Sequence, residues 1–168
     1  MGVLLAYEGY LRVGELLQLR REHVLLPDDA ALVFGAAGVH CGLHLPSTKR
    51  GANQFVRIRD PAVVRYLQWL VGGTPAGGLL FPGVTARKLN YLLSMCLRLW
   101  GLPSDFTMHS LRHGRAAAQF LADVHPEVIR REGRWSLLFS MEPYLQAALS
   151  LTIQLRCDSD RVLSLIHI

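Results

Sequence analysis

Cysteine is scarce and unpaired in this sequence. The three present, Cys41, Cys96 and Cys157, lie far apart, and no two form a C-x-x-C pair. An odd, scattered set argues against a disulfide framework and fits a reducing compartment. Long apolar runs are missing too: no stretch reaches the roughly 20 residues that span a bilayer. The opening MGVLLAYEGYLR has neither a basic n-region nor a small-residue cleavage site, so no signal peptide is expected. No internal repeat and no long linker divides the chain. Charged residues make up only 18% against 51% apolar, which argues against wholesale disorder. The 168 residues fit one domain, expected to be soluble and intracellular, with no membrane contact.

The 18 Lys and Arg outnumber the 13 Asp and Glu, giving a net charge of +5. A basic balance admits a polyanion as partner without requiring one. Both ends look cut. The first helix is expected to begin almost at Met1, with no lead-in segment. The last six residues, Leu163 to Ile168, are what the bases CTG TCT CTT ATA CAC ATC encode, the string of a transposon-end adaptor used in sequencing libraries. Residues 163–168 are therefore expected to be translated adaptor, and 151–162 a partial C-terminal segment of the domain that fills 1–150.

Leu11 to Arg20 has helical apolar spacing. Residues 31–34 and 40–45 read as short strands, and residues 54–59 alternate as a strand, so 40–59 predicts a β-hairpin around Lys49-Arg-Gly51. Pro61 opens a helix to about Val71, and Gly72 to Gly78 reads as a loop. Thr85 to Trp100 predicts a long helix closed by Gly101 and Pro103. Thr107 is a natural N-cap for a helix to about Asp123. Pro126 starts another that stops at Gly133. Residues 136–150 are helical in pattern, but Pro143 breaks them and belongs in the first turn of a new short helix holding Tyr144. The sum is a mainly α (α+β) fold, a helical bundle with a small antiparallel sheet.

Four segments carry chemistry-bearing side chains: Tyr10-Leu-Arg12-Val-Gly-Glu15, Ser47-Thr-Lys49-Arg50-Gly51, His109-Ser-Leu-Arg112-His113, and Gly133-Arg-Trp135 followed nine residues later by Tyr144. Each alone has an ordinary reading. Arg12 and Glu15 at i, i+3 could be a solvated helix pair; Lys49 at a turn is usually a wet charge; Trp135 and Tyr144 would normally be core aromatics. His109 and Arg112 share a helix face. In this order and at these separations, from about residue 7 to about 147, the segments resemble the active-site boxes of the tyrosine recombinase, or phage integrase, family. The Gly-Arg-Trp form of the last box is most similar to recombinases of eukaryotic mobile elements of the Crypton and DIRS types.

The resemblance implies a catalytic domain that breaks and rejoins duplex DNA through a 3′-phosphotyrosyl link. Arg12 and Arg112 would clamp the non-bridging phosphate oxygens through forked N–H donors. Trp135 would add its indole N–H. Tyr144 would be the nucleophile, His109 its proton acceptor or hydrogen-bond partner, and Lys49 the acid for the leaving 5′-oxygen. Glu15 would buttress an arginine. His113 would have a supporting role, or be a helix histidine bonded to a backbone carbonyl. Arg50 would contact DNA. Bond energy is kept in the covalent link, so neither metal nor other cofactor is needed. Full-length family members clamp DNA with a further N-terminal domain and work as tetramers on two sites. Location would be the nucleus in a eukaryotic host and otherwise the cytoplasm.

Three other readings compete. The chain could be an inactive DNA-binding remnant of a mobile element. It could be a type IB topoisomerase, which shares the tyrosine chemistry. It could be a metallohydrolase, with His40, Cys41 and His44 as zinc ligands and His109 and His113 at i, i+4. In the last case Ser110 stands where the zinc-protease helix needs Glu.

Overall fold

The computed structural model describes residues 2–27, 40–48, 51–150 and 152–153. The strand expected at 31–34, Lys49 and Arg50 of the expected turn, and the terminal residues 163–168 lie outside them. The chain groups into two compact units, one ending at Arg112 and the other beginning at His113. As expected, it is mainly helical with a small antiparallel sheet. Among the described residues no helix is long and apolar enough to cross a membrane.

In the first unit, helix α1 (Gly2–Glu8) runs into α2 (Val13–Leu17). The expected helix over 11–20 is therefore much shorter, for reasons visible at both ends. At its start, α1 closes with the Leu11 N–H donating to the Ala6 carbonyl (2.9 Å) and the Tyr10 N–H to Tyr7 (3.2 Å). This cap places Tyr10 in the left-handed region at φ 52, a position usually given to glycine. At the other end, residues 19–21 pair with 78–80: the Leu80 N–H donates to Leu19 (2.9 Å) and the Arg21 N–H to Gly78 (3.0 Å). Backbone groups committed to that pairing cannot close further helical turns.

The sheet is β1 (Val24–Leu25), β2 (Cys41–Thr48) and β3 (Gly51–Ile58), antiparallel in that order, with Leu43 opposite Val56 and Cys41 opposite Ile58. The hairpin is as expected; β1 is too short to leave an alternation in the sequence. Cys41, Leu43, Leu45, Val56 and Ile58 are buried. They join Leu5, Leu11, Leu16 and Leu19 in one cluster, where each fully buried Leu contributes about 1.5–3 kcal/mol. On the opposite face His44 stacks on its cross-strand partner Phe55. Burial pushes the Cys41 thiol up to about 11.

Helix α3 (Pro61–Gly73) starts where Pro61 predicts and is capped by Asp60, whose carboxylate accepts from Ala62 (2.8 Å) and Val63 (3.0 Å). It runs through Gly72 and Gly73, two residues past the expected end, because its Val63, Val64, Leu67 and Val71 face is anchored in the core. Helix α4 (Ala86–Leu99) is capped by the Thr85 hydroxyl and ends at Gly101, φ 67. Its Asn90 side-chain Oδ1 accepts from the Met108 N–H (2.9 Å), tethering the start of α5 (Met108–Leu121).

In the second unit, α5 continues beyond His113 and α6 (Pro126–Gly133) follows. Arg134 then turns the chain in the left-handed region, φ 59 and ψ 41. The Trp135 ring lies over Gly133 so closely that a β-carbon there would sit 1.8 Å from it. A 3-10 turn over Leu138–Ser140 leads into helix α7, residues 142–150, with Pro143 in its first turn and Tyr144 just after, as the sequence predicts.

Two stability outcomes follow. Asp60→Ala leaves two N–H groups of α3 uncapped and should cost about 1 kcal/mol in denaturant unfolding. Gly133→Ala must displace the Trp135 ring and should cost about 1–3 kcal/mol as overpacking does; a variant as stable as the parent would show that the ring is not seated there.

Candidate active site

Arg12 stands at the N-terminus of α2, where its backbone N–H donates to Glu15 Oε2 (3.0 Å) and its guanidinium to Glu15 Oε1 (2.7 Å). Glu15 is 8% exposed, so this is not the solvated surface pair that the spacing alone allows. One carboxylate both caps the short helix and holds the arginine's fork, the reciprocal half of a capping box.

Arg112 is 2% exposed, among the largest fully buried side chains. Its guanidinium donates to the Tyr10 carbonyl. The left-handed turn at Tyr10 thus aims a carbonyl at Arg112, two residues before Arg12 leaves the same turn. His109 lies one turn earlier on α5. Loss of surrounding water lowers its pKa below the ordinary histidine value, and the positive charges of Arg112 and Arg12 lower it further. At pH 7 its imidazole is therefore neutral and able to accept a proton.

A cleft of about 600 Å3 joins these groups to the hairpin: Arg12, Glu15, Gln18, Ser47, Thr48 and His109 line it. Within the first unit the structure brings together Arg12, Glu15, His109 and Arg112. Lys49 and Arg50 lie outside the described residues, and Thr48, the last described residue before them, lines the cleft.

The second unit carries the remaining candidates. Tyr144 is half-buried and its ring stacks on His113, with centroids 3.6 Å apart and planes 9° from parallel. His113 therefore packs on the expected nucleophile. Trp135 is buried. Its backbone N–H donates to the Arg130 carbonyl (3.0 Å), and its own backbone carbonyl accepts from the Arg130 guanidinium (2.8 Å).

The candidate zinc ligands are not assembled. Cys41 is buried in the core, whereas His44, three residues along the same strand, is on the other face and bonds Asn53 (3.2 Å). Among the described residues no group of three His, Cys, Asp or Glu could hold a metal ion.

The sequence reading missed Tyr10, whose part is played by a backbone carbonyl and leaves no side-chain signature. It also missed Glu127 and Arg130, although their i, i+3 spacing is visible.

No profile of a known protein family matches the sequence, and no curated protein does. Solved structures do. The XerH site-specific recombinase bound to difH substrate, in a pre-cleavage complex, matches with a TM-score of 0.67 at 17% identity over 89% of this chain. XerH bound to palindromic difH substrate, post-cleavage, matches with a TM-score of 0.70 at 16% identity over 92%. The Tn1549 transposon integrase in complex with a circular intermediate DNA matches with a TM-score of 0.54 at 16% identity over 84%. This chain spans 44% of either XerH chain and 52% of that integrase chain. Mainly helical with a small three-stranded antiparallel sheet, the chain has the fold of the tyrosine recombinase catalytic domain.

Proposed function

We propose that this chain is the catalytic domain of a site-specific DNA recombinase that breaks and rejoins duplex DNA through a 3′-phosphotyrosyl intermediate, without metal or nucleotide cofactor. The observation that carries the reading is the cleft where Arg12 and His109 meet the hairpin strands, with Arg112 beside them, on a fold shared with two DNA recombination enzymes. Both neighbours are DNA complexes, which supports duplex DNA as partner. Assembly as a tetramer on two sites belongs to the full-length protein.

The phosphodiester is an anion, and attack concentrates charge on its non-bridging oxygens. Arg12 and Arg112 supply that charge's partners. Glu15 and the Tyr10 carbonyl fix their forks beforehand, so little reorganisation is needed. The Trp135 indole N–H adds a donor that never titrates. Tyr144 Oη attacks phosphorus, and its proton passes to His109. The P–O5′ bond breaks as the P–O(Tyr) bond forms, and the 5′-oxygen takes a proton from Lys49. A second DNA 5′-hydroxyl reverses each step, so one phosphoester bond is always exchanged for another. His113, stacked on Tyr144, restricts the phenol's direction. Arg50 adds a phosphate contact.

Two outcomes are expected. A suicide DNA substrate, nicked so that the cleaved piece diffuses away and built from sequence flanking the gene, gives a covalent protein–DNA adduct in EDTA. Tyr144→Phe abolishes the adduct; DNA binding with no adduct from the parent chain would favour an inactive remnant. The pH dependence has a definite sign. A depressed His109 pKa keeps the imidazole neutral until the pH falls below the ordinary value of about 6.5, so the acid limb of single-turnover cleavage should lie below pH 6.5. An acid limb at or above that value would remove His109 from the acceptor role.

A further inference from the structure

We propose that Arg130, held by Glu127, is a positioning residue for Trp135, fixing the segment from which the indole N–H is presented to the phosphate. The inference rests on the reading of Trp135 as a phosphate donor.

The geometry around Trp135 motivates it. Helix α6 ends at Gly133, and the left-handed Arg134 sends the chain back over the last turn. Trp135 is then fastened at three points. Its backbone N–H donates to the Arg130 carbonyl (3.0 Å). Its ring rests where a Gly133 β-carbon would be. Its carbonyl accepts from the Arg130 guanidinium (2.8 Å), which also reaches the Ser136 carbonyl (3.2 Å). Two of the three points belong to Arg130. That residue is fixed in turn, because Glu127 grips its far edge through Nε–Oε2 (2.7 Å) and Nη2–Oε1 (2.6 Å). The arrangement uses the planar fork fully, one edge on a carboxylate and the other on two carbonyls, which a lysine cannot reproduce.

The chemistry of the clamp fits positioning better than folding. The Glu127 side chain is 40% exposed, and an ion pair in that setting adds little to stability. Hydrogen bonding from Arg130 first, and from Arg131 after it, pulls the Glu127 carboxyl down to about 2. The grip is therefore charged throughout any working pH range and does not act as a pH switch.

The test uses the full chain labelled with 5-fluorotryptophan, the Trp135 resonance being assigned by its loss in Trp135→Phe. Arg130→Met and Arg130→Lys should shift that resonance and lower single-turnover cleavage of the suicide substrate about 10- to 100-fold, as loss of a supporting residue typically does. DNA affinity and melting temperature should be retained. Glu127→Gln, which keeps one acceptor, should act in the same direction with a smaller loss. In a Trp135→Phe background Arg130→Met should have no further effect on cleavage, whereas in an Arg12→Lys background its effect should persist in full. An unmoved Trp135 resonance overturns the proposal, and so does an Arg130 effect that survives without the indole. Should the parent chain form no adduct at all, the cleavage reading fails, and the fluorine resonance alone decides whether Arg130 positions Trp135.

Discussion

A guanidinium that has lost nearly all its water organises the first unit. Burying a charged group is costly unless hydrogen bonds replace its hydration, and Arg112 meets that demand in part through the Tyr10 carbonyl. The carbonyl points there because α1 closes through a left-handed residue, and that closure also sets where α2 begins and where Arg12 projects. Glu15, buried on the first turn of α2, then fixes Arg12. Two arginines a hundred residues apart in sequence are thereby brought into one frame through backbone geometry. The lowered pKa of His109 comes first from the same loss of solvent and then from the positive charges of Arg112 and Arg12.

The second unit solves a related problem with an aromatic side chain. An indole is large, so directing its N–H requires holding the whole ring. Gly133 supplies the space and Arg134 the turn. The backbone bonds of Arg130 take up groups that the end of a helix leaves without intrahelical partners. Tyr144 is constrained differently, by the flat face of His113 and by a helix that Pro143 allows to start only one residue earlier. Helix α5 is the element common to both units: it carries His109 and Arg112 in its first turns and His113 in the next.

The legible parts of the fold were those with local punctuation. Pro61, Thr85 with Gly101, Pro126 with Gly133, and Pro143 each mark a boundary that steric rules enforce within a few residues, and the hairpin announces itself by alternation around Lys49-Arg-Gly51. The parts that were not legible depend on distant backbone pairing: residues 19–21 give up their helical pattern to residues 78–80, and the two-residue β1 exists only against β2. For the site, the residue types and their order pointed to Arg12, His109, Arg112, Trp135 and Tyr144. Spacing could not reveal that Arg112 is buried, since arginine is among the residues least often found inside, nor that the cysteine and histidines of 40–44 diverge. A strand's two faces decide the latter, with Cys41 turned to the core and His44 to the other face.

Position 10 illustrates how a fold can restrict its own drift. The backbone there asks for glycine or asparagine, because a φ of 52 crowds any β-carbon. The core asks for a large ring, because the Tyr10 side chain is 98% enclosed. Asparagine, aspartate and histidine, the residues that relieve the backbone at least cost after glycine, are each a single base change from a tyrosine codon. Each would nonetheless exchange a packed phenol for a smaller polar group in an apolar interior. The genetic neighbours that relieve the backbone violate the core, so a residue that takes no part in the proposed chemistry through its own side chain is confined to large rings.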